Sequence, residues 1–358
     1  MKHKKLIILF SLLAASLLLG GCSGRSTTPS SWPGITIADN IAYVAFNQHV
    51  YGVQTNNGTE TTRLPQDPIN GATTFFHAPV ILDDNRFLVG DYKKELYTFN
   101  TSNQTGSVFF KDAGGRWIGA PIVVGDTIFA PNTDSFLYAL DMNGNEKWSF
   151  DTGEPIWASP LINGDLLYLA SMDEKLYALD ADSGDLVWET ELGGTMVNNA
   201  SLGEDDVLYI GTFNSEVLAL DSQTGSILWR LSTDDWVWGT PMLSDGVLYA
   251  TDLSGKVYAV DPDNQNILWQ YKGEGAISGS VLIHEGSIYF ATQGGVLYSL
   301  NMEGGLRWQA SLPEEDGEFA GTPVADGDSI LIGALQSAGI LYAYSTEGTL
   351  QWQYLPEN

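Results

Sequence analysis

The sequence predicts an all-β fold, an eight-bladed β-propeller of four-stranded antiparallel blades. Three observations carry that expectation. A pattern ending on an aromatic residue recurs about every 40 residues. Each copy divides into four short runs rich in Val, Leu, Tyr and Trp, separated by Asn-Gly, Asp-Glu and Ser-Gly turns, and no stretch of the body has helical periodicity. Four-stranded units at this period are the signature of propeller blades, and a single unit cannot bury both its faces, whereas a closed ring of eight can.

The repeats run from "LYALDMNGNEKW" at Trp148 through "LYALDADSGDLVW" at Trp188, "VLALDSQTGSILW" at Trp229, "VYAVDPDNQNILW" at Trp269 and "LYSLNMEGGLRW" at Trp308 to "LYAYSTEGTLQW" at Trp352. Successive tryptophans are 40, 41, 40, 39 and 44 residues apart. Two degenerate copies come first, with Thr62 in the tryptophan slot of the first and Phe110 in that of the second. The expected blades are roughly 32–66, 67–113, 114–153, 154–193, 194–233, 234–273, 274–314 and 315–358. Indoles at one place in each outer strand are expected to wedge between neighbouring blades, each burial contributing roughly 2–3 kcal/mol. The strand-end residues Asp141, Asp180, Asp221 and Asp261 fit a capping role in the turns that follow. They do not make calcium loops, because from Asp180 glycine falls at the fifth position and from Asp261 the twelfth residue is Lys272.

Residues 1–21 read as a signal peptide: a basic "MKHKK", then the apolar run "LIILFSLLAASLLL", short for a spanning helix. "LGGC" ends on Cys22, the only cysteine, and resembles the lipobox of bacterial lipoproteins. That resemblance implies cleavage before Cys22 and acylation of its thiol and amine, with palmitate as one such chain. Residues 22–31 then form the lipidated cysteine and a flexible Ser/Pro-rich tether. The expected location is extracytoplasmic, anchored by lipid to the cell membrane or the outer membrane. No disulfide is available to the body.

The chain has 44 acidic and 16 basic residues and a formal charge of −28. A polyanion is repelled by such a surface, so nucleic acid is excluded as a partner. Catalytic constellations are missing as well. His49, His77 and His284 fall in different repeats without zinc spacing. "GDSI" (327–330) aligns with hairpin turns of other copies, and "GEGAISG" (273–279) lacks the helix a phosphate cradle needs.

The recurring "SP.I..G.LY..S.D..LYALDA.SG...W" resembles the repeat of pyrroloquinoline-quinone-type propellers, over about 320 residues and all eight copies. That family has two relevant branches. Quinoprotein dehydrogenases hold their quinone over a vicinal cysteine pair, with calcium beside a catalytic Asp. This chain has no such pair and only short inter-strand turns, so no cofactor and no metal are expected. The other branch, non-enzymatic eight-bladed BamB-like lipoproteins of outer-membrane assembly, matches in length, blade number and lipobox.

Six of the eleven tryptophans fill the repeat slot, and the other five collect on one connection. Aligned on Pro79, Pro121, Pro160, Pro241 and Pro323, a column of aromatics stands three or four residues earlier: Phe75, Phe76, Trp117, Trp157, Trp238 and Phe319. Trp32 fits the same column, and Trp236 lies two residues before Trp238 in "DDWVWGTP". This connection leads into the channel-lining first strand across one face of the disc. Asp91, Asp173, Asn214 and Asp252 fall on turns of the same face. The expected arrangement is an aromatic ring with an acidic fringe, serving either as a plug between blades or as a binding face. The functional expectation is a non-enzymatic, lipid-anchored scaffold, monomeric within a complex, that binds an envelope or membrane protein. A carbohydrate or small-ligand binding lipoprotein is the alternative, and a quinone-dependent dehydrogenase comes third.

Overall fold

Residues 161–191 show how one repeat becomes one sheet. The strands Leu161–Asn163, Leu166–Ala170, Lys175–Asp180 and Leu186–Glu191 pair in sequence order, all antiparallel. The second and third carry four consecutive buried residues each, as strands covered on both faces must. Gly164 turns the first hairpin at φ +60°, in the left-handed region that glycine reaches without strain. The computed structural model describes residues 34–356 apart from 68, 70–73, 76, 204–205 and 314–316. The signal peptide, Cys22, the tether, Trp32 and Phe76 lie outside the described residues.

Seven further sheets repeat this meander, giving blades 1 to 8 at residues 35–64, 80–110, 122–151, 161–191, 201–232, 242–272, 282–311 and 318–354. Each contains four consecutive antiparallel strands, and among the described residues there is no α-helix. The protein is thus an all-β, eight-bladed propeller.

What holds the ring is a set of eight apolar clusters, each shared by two adjacent blades. Leu167, Leu169 and Tyr177 of blade 4 meet Phe129, Leu137 and Ala139 of blade 3 in one. Tyr168, Leu176 and Trp188 of blade 4 meet Leu208, Ile210 and Leu218 of blade 5 in the next. The eighth joins Ala42, Val44, Tyr51 and Val53 of blade 1 to Leu331, Leu341, Ala343 and Tyr354 of blade 8. Since every sheet uses its own consecutive strands, no sheet shared between the two ends closes the ring among the described residues; contacts between blades 8 and 1 do.

The repeat tryptophans lock each blade to the next by a common geometry. In seven blades the pairing of third and fourth strands shifts register just after a small residue. In six of them that small residue (Ala139, Ala178, Ala219, Ala259, Ser299, Ala343) lies opposite the tryptophan. The indole then reaches across to the following blade. Trp188 donates to Ser222 O at 3.0 Å, Trp269 to Met302 O at 3.0 Å and Trp308 to Thr346 O at 2.7 Å. Trp352 donates to Thr55 O of blade 1 at 2.9 Å, so the seam uses the same contact. The ring face lies on a turn glycine of that next blade, Gly225, Gly304, Gly348 or Gly58. There a positive φ and the indole both exclude a side chain.

Phe110 does not occupy the tryptophan slot of blade 2. Its register shift lies two pairs earlier than in the other blades, between Leu96 and Tyr97, so Ser107 faces Thr98 in that slot. Phe110 instead pairs with Leu96 and packs on Trp117 and Tyr138.

Candidate functional site

The segments that lead into the first strands run extended, so successive side chains point to opposite sides. This divides the aromatic column in two. Four residues before the proline position stand Phe75, Trp117, Ile156, Met196, Val237, Ile277 and Phe319, all at most 2% exposed and each within an inter-blade core. Phe75, Trp117 and Phe319 are therefore no part of an exposed face, which corrects the single aromatic ring expected above. Trp117 lies so close to Gly90 that a Cβ there would come within 2.1 Å of its own, and Val237 lies on Gly211 in the same way.

Trp157, Trp236 and Trp238 point to the other side and are partly exposed. Val237, between the last two, is fully buried. Its anchoring in the core fixes which side its neighbours take. Phe213, on the turn between second and third strands of blade 5, joins them. Its ring stacks on Trp236 at 4.7 Å and 11°, and meets Trp238 at 5.3 Å and 41°. Three half-buried aromatic side chains thus form one patch at the boundary of blades 5 and 6. Sequence alignment missed Phe213, although the signal was present. The equivalent turn position holds Tyr92, Thr133, Met172, Leu253 and Gln293 elsewhere, and only Tyr92 is aromatic.

Asp252 holds this patch in place. It is fully buried, and its Oδ2 accepts from the backbone N–H groups of Asp234 at 3.1 Å and Asp235 at 3.2 Å, and from Tyr258 OH at 2.7 Å. Its Oδ1 accepts from Ser254 OH and Lys256 N. Burial, then the bond to Asp252, push the Tyr258 hydroxyl above its ordinary range. Leu253 N donates to Trp236 O at 2.9 Å, tying the two segments together once more. Above them the Lys256 ammonium, 2.6 Å from Asp234, holds that carboxyl below the usual carboxylate range.

The acidic fringe is likewise smaller than expected. Asp91 and Asp252 are fully buried, because each turns back to cap the N–H groups of its own loop; Asp91 accepts from Lys93 N and Glu95 N. Asp173 is half-buried and bonded to Tyr177 OH, and Asn214 is exposed. A second feature of this face, also unread from sequence, is a column two residues before the proline position. It holds Gly119, Gly239, Gly279 and Gly321, with Ala158, Asn198 and His77 in other blades. A Cβ at Gly239 would come within 2.4 Å of Gly279 O, and one at Gly279 within 2.1 Å of Gly321 O, so adjacent segments touch backbone to backbone. Asn198 spans the same gap with its side chain, donating to Val237 O and Gly239 O. His77 sits at the corresponding place in blade 2. Its Nδ1 lies 2.7 Å from Ala78 O and its Nε2 accepts from Gly90 N at 2.9 Å. Burial lowers its pKa to about 4.

The strand-end aspartates form capped turns on the opposite face. Asp141 Oδ1 accepts from Asn143 N and Asn145 N, both at 2.8 Å, and Asp180, Asp221 and Asp261 do the same in their loops. Bonds from the Asn145 side chain and backbone hold the Asp141 carboxyl down to about 2. Among the described residues no group of three His, Cys, Asp or Glu side chains is placed to hold a metal ion.

The sequence matches the family described as outer membrane protein assembly factor BamB over residues 46–202 and 197–357. A search of curated proteins finds no match. Among solved structures, BamB from Moraxella catarrhalis is similar at 17% identity, with 89% of this chain and 96% of that one covered and a TM-score of 0.68. The computationally designed Ika8 protein is similar at 10% identity, with 92% and 98% covered and a TM-score of 0.70. Both likenesses are of fold. The family match spans nearly the whole body and both halves of the ring, and the chain belongs to the BamB family of outer membrane protein assembly factors.

Proposed function

We propose that this chain is a non-enzymatic scaffold of the cell envelope, held by lipid on Cys22, that binds a protein partner in outer-membrane protein assembly. The observation that carries the reading is the Phe213–Trp236–Trp238 patch. Half-exposed tryptophans anchored on a buried aspartate are the kind of rigid anchor that dominates interface energy. Family membership supplies the assembly context. No quinone and no metal take part in this reading.

The test is an affinity capture from detergent-solubilised envelope, with the mature chain as bait beside its Trp236→Ala/Trp238→Ala variant. Specific retention of a membrane protein by the first bait and its loss with the second supports the scaffold. Equal retention by both baits removes the patch from the interface. The same half-exposed indoles, with carboxylates beside them, also suit stacking on a sugar ring. A soluble saccharide that saturably perturbs tryptophan fluorescence while no protein is retained favours that second reading.

A further inference from the structure

Resting on the protein-binding reading, we infer that the aromatic patch takes a cationic segment, one that presents arginine or lysine beside apolar side chains. The argument is the imbalance of charge around the patch. On this face, over blades 4 to 7, the cations are already engaged. Lys175 pairs with Glu189 at 2.8 Å, Arg230 with Glu216 at 2.8 Å, and Lys256 with Asp234 at 2.6 Å. Arg230 also donates to Leu192 O, and Lys272 to Ser254 O. The carboxylates are left in excess. Glu154, Glu191 and Glu274 are exposed and Glu174 half-exposed, and no ion pair among the described residues neutralises them.

Register places these groups together. Glu154 and Asp235 occupy equivalent places in their lead-in segments, and so do Glu274 and Asp234. Glu274 N donates to Tyr298 OH as Asp234 N does to Tyr258 OH. Glu191 ends the fourth strand of blade 4, directly before the lead-in segment of blade 5. An indole face attracts a guanidinium or ammonium group through its quadrupole, and neighbouring carboxylates strengthen that attraction. The fold already uses this kind of contact on the same face, where the Arg116 guanidinium lies 5.0 Å over the Tyr92 ring. Blades 2 and 3 there carry Lys93, Lys94, Lys111 and Arg116 among Glu95, Asp112, Asp134 and Asp151, so charge is mixed on that side. A net charge of −28 adds long-range steering of a cationic partner.

The test is fluorescence anisotropy of a labelled peptide of alternating arginine and leucine. Its control is the same peptide with citrulline in place of each arginine. Both are titrated with the full-length protein in detergent, at about 50 and about 300 mM salt. The arginine peptide is expected to bind at least about tenfold tighter than the citrulline peptide at the lower salt. Trp236→Ala/Trp238→Ala is expected to weaken it about tenfold or more, and Glu191→Gln/Glu274→Gln, at exposed positions that leave the core untouched, about threefold. Absence of binding, equal binding of the citrulline peptide, or equal binding to the tryptophan variant overturns the inference. The last outcome marks mere adhesion to an acidic surface. A captured envelope protein that is lost in the tryptophan variant, yet insensitive to salt and to the glutamine substitutions, leaves the scaffold reading intact and overturns this one.

Discussion

Acid is expected to loosen this propeller through one buried imidazole. His77 is 5% exposed, and its Nε2 faces the Gly90 N–H at 2.9 Å. Protonation would set two donors against each other inside the ring. The folded pKa of about 4 lies below the usual 6.5, so the unfolded chain takes up a proton first as pH falls. The stabilising contribution of the neutral ring is therefore complete above pH 6.5. It is lost progressively down to about pH 4, where roughly 3 kcal/mol has gone. Carboxylates titrate in the same range, so the comparison needs a variant. His77→Gln keeps an acceptor for Gly90 N and has no titration of its own. Urea unfolding of both proteins at pH 7 and pH 4 should show the wild type losing about 3 kcal/mol more than the variant. Equal losses would refute the reasoning, because His77 would then be taking its proton without opposing the fold.

Four further outcomes follow from the geometry. Gly90→Ala puts a Cβ within 2.1 Å of the Trp117 Cβ, and thermal unfolding should register a loss of about 1–3 kcal/mol from overpacking. Trp308→Phe removes a 2.7 Å bond to Thr346 O, whereas the Trp148 indole nitrogen is buried without a partner. Chemical denaturation should show Trp308→Phe costing about 1 kcal/mol more than Trp148→Phe. Asp252→Asn exchanges one carboxylate oxygen for a donor that faces other donors, and a loss of about 1–3 kcal/mol is expected. Tryptophan emission should shift as the segment holding Trp236 loosens, and an unchanged spectrum would place the anchor elsewhere. Carboxyl resonances followed by NMR should put Asp141 at about pH 2, and a titration near 4 would contradict its capped turn.

The period of the tryptophans was enough to read the ring from sequence, because in five blades the indole docks on a turn glycine of the next. Positions that depend on local alternation were harder to read. Phe75 and Trp157 stand one residue apart in the aligned segments, yet one is in the core and the other reaches solvent. An extended chain makes that difference, and an alignment tolerant by a single residue erases it. Phe110 was misplaced for a related reason, since a register shift two pairs earlier hands the slot to Ser107. Asp91 and Asp252 look like surface acids in sequence, and only the turns they cap draw them inside. The column of Gly119, Gly239, Gly279 and Gly321 was open to reading throughout, as a regular spacing of residues without side chains.

The seam between blades 8 and 1 has a consequence for the order of the chain itself. Trp352 meets Gly58 and Thr55 as Trp308 meets Gly348 and Thr346, so the junction where the chain begins and ends is built like the one before it. Where the polypeptide starts is then a matter of gene order. A circularly permuted chain that opens between blades 3 and 4 and joins the old ends keeps every sheet and every indole contact. The same freedom lets the chain ends be moved around the disc, one blade at a time, without redesigning the ring.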